Sequence, residues 1–251
     1  MPEITFVGTG EAFDPDLPNT SVLYRGDRTL LLDCGYSVPQ ALWRMTRDPD
    51  LIDAIWSSHS HADHSFGIPA LLLWMRVGGR TRPLTVFGGP GVGKWLAKLL
   101  DLAYPGGYDP ARCFAIEAVE VGTAAPVEFG DLRLRAARSD HGVRNLALRI
   151  DEGDSAFAYS GDGAPTEATR ALYGGVGVLV HECHADRDPY AGHGGAEAVV
   201  AMAAQLGVAT LCVLHVAVDQ KAAVAARVAQ SEPGVTLPAP GDRLDLGRGC
   251  R

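Results

Sequence analysis

Four potential metal ligands crowd into six consecutive positions, His59-Ser60-His61-Ala62-Asp63-His64. The cluster follows a strand-like run, Ile52 to Ser58, and precedes a strongly apolar helix-like stretch, Ile68 to Arg76. It therefore sits on a strand-to-helix loop. Polar residues in a turn are ordinarily just solvated, but this density of imidazole and carboxylate exceeds what one ion takes from so short a stretch. Two ions share them more naturally. All eight histidines lie between residues 59 and 215, and each candidate ligand among them falls at or near the end of an apolar, strand-like run.

Along the rest of the chain, Ile4 to Gly10 is β-rich, and Ser21 to Arg25 with Thr29 to Asp33 reads as a hairpin. Leu84 to Phe87, Ile116 to Val121, Val127 to Ala136, Leu146 to Ile150, Ser155 to Tyr159, Val178 to His181 and Thr210 to Leu214 read as further strands. Helical stretches cover Gln40 to Arg47, Gly93 to Leu102, Thr166 to Leu172, Ala196 to Leu206 and Gln220 to Gln230. The β-rich and αβ blocks alternate twice. The longest Gly/Pro loops, Tyr104 to Pro110 and Gly161 to Pro165, are too short for interdomain linkers. The expectation is one domain over residues 1–251, built as an αββα sandwich of two packed mixed sheets with helices outside.

The apolar runs are far shorter than the roughly 20 residues a membrane helix needs, and Met1-Pro2-Glu3-Ile4 does not open a signal peptide. A cytoplasmic location without membrane contact is expected. Cys34, Cys113, Cys183, Cys212 and Cys250 are scattered, odd in number and free of any Cys-x-x-Cys pair, so they are expected as reduced thiols. A net charge of −8 disfavours sequence-independent attraction to polyphosphates.

At this point the sequence resembles the metallo-β-lactamase superfamily. The likeness rests on five motifs in order: Asp33 in Leu32-Asp33-Cys34-Gly35, the run His59 to His64, Asp140-His141-Gly142, Ser160-Gly161-Asp162 and Leu214-His215-Val216. The resemblance puts one ion on His59, His61 and His141 and a second on Asp63, His64 and His215, with Asp162 bridging and a metal-bridging hydroxide as nucleophile. Zinc is the first candidate, and manganese or iron suits the same ligands. Asp33 has no ligand role; as a carboxylate after a strand it is expected to accept a hydrogen bond from a metal-bound histidine.

Within the superfamily the chain is similar to ribonuclease Z, the tRNA 3′ endonuclease, and the small phosphodiesterases around it. Gly8-Thr9-Gly10, Asn19-Thr20-Ser21, Phe87-Gly88-Gly89-Pro90, His181-Glu182-Cys183, Gly192-His193-Gly194 and Pro240-Gly241-Asp242 carry that likeness. It makes Asp63, Glu182 and His193 the candidate catalytic residues, with His193 as general acid and Glu182 orienting it. It also suggests a homodimer. His181 and His184 are read as structural or exposed.

Gly88-Gly89-Pro90-Gly91-Val92-Gly93-Lys94 imitates a phosphate loop, but Trp95 stands where Ser or Thr is required. Arg76, Arg80 and Arg82 form a modest basic patch whose default is a solvated face. No long Gly- and Lys-containing arm of the kind that grips tRNA is present. The expected function is a binuclear metal phosphodiesterase acting on a small or RNA phosphodiester. A lactone or thioester hydrolase is the alternative; acyl hydrolysis has less need of an acid such as His193.

Overall fold

A computed structural model describes residues 1–106, 113–232 and 234–247. Cys250 and residues 107–110 of the loop noted above lie outside the described residues. Six strands come first: β1 (Glu3–Gly8), β2 (Ser21–Arg25), β3 (Thr29–Leu32), β4 (Ala54–Ser57), β5 (Leu84–Gly88) and β6 (Ile116–Glu120). Then come β7 (Val127–Phe129), β8 (Leu132–Arg138), β9 (Leu146–Glu152), β10 (Ser155–Tyr159), β11 (Val178–Glu182), β12 (Thr210–Leu214), β13 (Val235–Thr236) and β14 (Arg243–Asp245). They make two seven-stranded sheets, ordered β14-β1-β2-β3-β4-β5-β6 and β13-β12-β11-β10-β9-β8-β7. Both are mixed. The first is antiparallel through β1, β2 and β3 and parallel from β3 to β6; the second is antiparallel from β7 to β10 and parallel from β10 to β13.

The period of two along each strand decides what packs where. In β4, Ala54 and Trp56 join a cluster with Phe157, Tyr159, Leu148 and Leu214 between the sheets, while Ile55 turns outward. In β11, Val178 and Val180 point in and Leu179 points out. Strands buried on both faces read as unbroken apolar runs, as these do. Outside the first sheet, α1 (Val38–Met45), the short α2 (Ala62–Ser65), α3 (Ile68–Val77) and α4 (Val92–Ala103) follow the chain; Leu42, Leu71, Leu72 and Leu96 cover its outer face. On the other sheet α5 (Glu167–Tyr173), α6 (Ala196–Gln205) and α7 (Lys221–Gln230) do the same through Tyr173, Val199, Met202 and Val224. The order of layers is helix, sheet, sheet, helix, as expected.

The run Val127 to Ala136 departs from the expectation of one strand. Gly130 takes φ 62° and breaks it into β7 and β8, with Phe129 opposite Leu132 across the turn. A left-handed backbone favours glycine, and a Cβ here would also strike Asp27 and Arg28. The edge strands β13 and β14 and the helix α2 are too short to announce themselves by periodicity. Among the described residues, no helix is long and apolar enough to cross a membrane.

Phe157 is fully enclosed between the sheets, 5.9 Å from the Tyr24 ring centre to centre. Replacing it by Ala is expected to cost about 3–5 kcal/mol in chemical denaturation. A loss under about 1 kcal/mol would mean the intersheet layer collapses without it.

Candidate metal centre

The site stands where strands of both sheets end. Asp33 directly follows β3, His59 to His64 follow β4, His141 follows β8, Asp162 follows β10, Glu182 closes β11 and His215 directly follows β12. Two of these turns use backbone that side chains rarely adopt: Asp33 has φ 60° and His215 φ 57°. Such conformations cluster at functional sites. Gly161, at φ 58°, gives Asp162 its approach, because a Cβ there would collide with Asn145 and Ser58.

Two groups of ligand atoms gather: His59, His61 and His141, and Asp63, His64, Asp162 and His215. In the second group, His64 Nε2 lies 3.2 Å from Asp63 Oδ2 and 3.2 Å from Asp162 Oδ1. His215 Nε2 lies 3.4 Å from His64 Nε2, 3.4 Å from Asp63 Oδ2 and 3.5 Å from Asp162 Oδ2. Ligands about 2.0–2.2 Å from a tetrahedral ion stand about 3.3–3.6 Å from one another. The observed spacings are those of a coordination shell. In the first group His61 Nδ1 is 3.2 Å from His141 Nε2, and His59 Nε2 is buried with no hydrogen-bond partner. Asp162 belongs to both neighbourhoods, since its Oδ2 also lies 3.9 Å from His59 Nε2.

Hydrogen bonds behind the ligands aim their lone pairs inward. Asp33, fully buried, accepts from Ser58 N and Ser58 Oγ (each 2.7 Å), from Tyr159 OH (2.7 Å) and from His64 Nδ1 (2.8 Å). With Nδ1–H spent on Asp33, His64 turns its Nε2 towards the carboxylates, where it is an acceptor once its second proton is gone. Ser58 Oγ gives its proton to Asp33 and so accepts from His59 Nδ1, 3.0 Å away, leaving His59 Nε2 bare. His141 Nδ1 donates to Gly192 O at 2.8 Å, which turns its Nε2 towards His61. Second-sphere acceptors fix tautomers in this manner at metal sites.

Facing acceptors need positive charge between them. Burial opposes a charge on His64, yet Asp162 and Asp33 hold it well above the usual histidine range. His215 is likewise opposed by burial and pushed up to about 9 by Asp162 and Asp63. Burial works against the ionised form of Asp63 and Asp162 too, and the surrounding imidazoles still keep both carboxyls low. His59 and His61 go the other way, lowered by burial and by neighbouring histidines. A divalent ion that displaces the protons of His64 and His215 would meet neutral imidazoles and ionised carboxylates, a donor set that fits it.

Glu182 and His193 lie beside the second group. Glu182 Oε1 accepts from Gly163 N (2.8 Å), Gly194 N (2.9 Å) and His193 Nδ1 (3.1 Å), and Oε2 accepts from His184 N (3.0 Å). Burial would raise its pKa, but the His193 contact leads a net lowering. An ionised carboxylate only accepts, so His193 Nδ1 carries its proton towards Glu182. Burial disfavours a charged His193, and Glu182 nonetheless lifts it above its ordinary value. Its ring stacks over His215 at 6.1 Å and borders an open cleft of about 840 Å³ that also reaches His61, Asp63 and Asp162.

The candidate ligands and catalytic residues, His59, His61, Asp63, His64, His141, Asp162, Glu182, His193 and His215, therefore gather at one end of the sandwich. Sequence reasoning missed Ser58 and Tyr159, whose hydroxyls carry no local signature; His184, read as structural or exposed, has its ring 4.9 Å from His193 on the cleft wall. His181 is structural, with Nδ1 on the Glu182 carbonyl at 2.7 Å. The imitation phosphate loop is answered directly: Glu120 Oε1 takes the Gly91 amide at 2.9 Å, so a carboxylate already occupies the start of α4. The basic patch is a solvated face only in part, since Arg82 is exposed and Arg80 is not. Arg80 is buried and donates to the carbonyls of Arg82, Pro49 and Pro83, and Arg82 pairs with Asp53.

A helix, sheet, sheet, helix sandwich with this ligand shell at its strand ends defines a metal-dependent hydrolase of the metallo-β-lactamase fold. The chain belongs to the beta-lactamase superfamily, whose domain model matches residues 28–216, about three quarters of its length. It is similar to ribonuclease Z of Methanothermobacter thermautotrophicus, 26% identical over 276 residues and covering 88% of each chain. Among solved structures it resembles the metallo-β-lactamase fold protein YhfI from Bacillus subtilis, with TM-score 0.83, 21% identity and 97% and 98% of the two chains covered. Human tRNase Z, short form, gives TM-score 0.78 at 18% identity over 97% and 99% of the chains.

Asp33→Asn keeps the volume but weakens the acceptor behind His64. It is expected to lower divalent-ion affinity about 10- to 100-fold in a competition titration with a chromogenic chelator, while the far-ultraviolet circular dichroism stays unchanged. Unaltered affinity would separate Asp33 from the metal centre.

Proposed function

We propose that residues 1–251 form a single hydrolase domain working as a binuclear metal phosphodiesterase on small phosphodiesters, with zinc the first candidate for both ions. His59, His61 and His141 would hold one ion and Asp63, His64 and His215 the other, with Asp162 adjoining both groups. Divalent ions held there supply Lewis acidity to phosphoryl oxygens and acidify water. The observation that carries the phosphodiester reading is His193, poised on the cleft wall with its Nδ1 anchored on the four-donor Glu182.

His193 delivers a proton from Nε2 to the departing oxygen, and Glu182 keeps the imidazole turned for that transfer. An alkoxide leaves poorly without one. The similarity to ribonuclease Z supports phosphodiester chemistry. The net charge of −8 and a cleft lined by no lysine or arginine among the described residues argue for small diesters over tRNA. Binding a long polyanion relies on neutralising many phosphates.

His193→Ala should slow diesters with alkoxide leaving groups by about 10²–10⁴-fold and spare activated phenol leaving groups by comparison. Equal losses on both would give His193 a binding role instead. On metal-reconstituted protein at physiological salt, a cyclic nucleotide or aryl diester should be cleaved more efficiently than precursor tRNA, a lactone or a thioester, with Asp162→Ala as the inactive blank. Specific cleavage of precursor tRNA at higher efficiency than any small diester would overturn the substrate assignment.

A further inference from the structure

Two large aromatic rings stand in solvent on the cleft that holds the ligand atoms. Phe13 is 86% exposed and Tyr190 76% exposed, and both border it. With Val218, 47% exposed on the same cleft, they gather apolar surface around one opening rather than standing as isolated side chains, and exposed apolar surface gathered in this way marks binding sites. Neither is on a slack loop. On the Phe13 side, Ala12 O accepts from Tyr36 OH, Asp14 Oδ1 takes the amides of Asp16 (3.0 Å) and Leu17 (3.1 Å), and Asp14 Oδ2 pairs with Lys221 at 2.6 Å. On the Tyr190 side, its carbonyl receives the His193 amide at 3.1 Å, and its ring lies 5.2 Å from that of His184.

Charge narrows what those rings meet. Beyond the ligand carboxylates the cleft carries Glu11 and Asp219, with no lysine or arginine among the described residues lining it. Additional phosphates on a substrate would face these carboxylates with nothing to pair them. A flat, uncharged group suits the mouth, and aromatic side chains stack on nucleobases regardless of sequence.

We propose that Phe13 and Tyr190 are specificity-determining residues that stack the base of a nucleoside phosphodiester bearing a single negative charge, while its phosphate reaches the ligand cluster below. The proposal rests on the phosphodiesterase reading above. A stacked ring contributes on the order of 5- to 150-fold in affinity, so the preference for a nucleoside substituent belongs to these two side chains. Glu11 and Asp219 exclude the same nucleoside when it carries a further phosphate.

The test compares thymidine 5′-p-nitrophenyl phosphate with methyl p-nitrophenyl phosphate, which release the same leaving group. The reconstituted protein should prefer the nucleoside diester at least tenfold in kcat/KM, and thymidine 3′-phosphate 5′-p-nitrophenyl phosphate should be the poorer nucleoside substrate. Phe13→Ala and Tyr190→Ala should each cut that preference at least fivefold, chiefly through KM, whereas Phe13→Tyr and Tyr190→Phe should keep it. A preference unchanged in both alanine variants, or a gain from the extra phosphate, overturns the proposal.

Binding is read separately by saturation-transfer NMR with thymidine 5′-methyl phosphate. Its base protons should receive saturation from the wild type and lose it in the double alanine variant. If the wild type cleaves neither diester yet shows that transfer, the phosphodiesterase reading fails and the aromatic clamp stands. If it cleaves both alike and the transfer is absent, the clamp fails and the phosphodiesterase stands.

Discussion

Lone pairs that face one another inside a protein repel, and at this centre no water layer lies between them. His64 Nε2, His215 Nε2 and the oxygens of Asp63 and Asp162 approach to 3.2–3.5 Å with their other hydrogen-bonding capacity committed elsewhere or left without a partner. Protons on His64 and His215, or a bound divalent ion in their place, relieve that arrangement. The surrounding structure exists to hold it: Asp33 collects four donors so that His64 cannot turn away, and Ser58 links Asp33 to His59. A carboxylate stripped of water costs several kcal/mol unless its oxygens are satisfied. Asp33 and Glu182 meet that condition with four acceptor bonds each.

The two-sheet architecture makes the convergence possible. Parallel strands release their loops at the same end, and the β3, β4 and β5 ladder of one sheet faces the β10, β11 and β12 ladder of the other. The intersheet layer of Trp56, Phe157 and Tyr159 fixes the spacing of those ends. Tyr159 takes part in both tasks: its ring fills the core and its hydroxyl reaches Asp33. A change in intersheet packing therefore reaches the ligands through one side chain.

Electrostatics divides the cleft into two zones. At its base, ligand carboxylates are matched by histidines and by the charge the site is built to take. At its mouth, Glu11 and Asp219 are unmatched by any lining cation among the described residues, and Phe13 and Tyr190 supply flat apolar faces. Arg80 serves the scaffold, tying the segment after α3 to Pro49 and Pro83, whereas the exposed Arg144 lines a separate pocket beside His59 and Ser60.

Read alone, the sequence singled out the candidate ligands, because imidazole and carboxylate at His59 to His64 carry their coordination chemistry in any context. It also determined the alternation of β-rich and αβ blocks, since strands buried on both faces leave long apolar runs. Local information ended at contacts between residues far apart in the chain. Nothing near Tyr159 says that its hydroxyl meets Asp33 126 residues away, and nothing near Phe13 or Tyr190 says that two exposed rings share one cleft. The break at Gly130 depends on the nearness of Asp27 and Arg28 as much as on the glycine itself. Hydrogen bonds and stacking act over a few ångströms, so only the tertiary structure, which brings those distances down, decided which polar groups support the metal centre and what its mouth accepts.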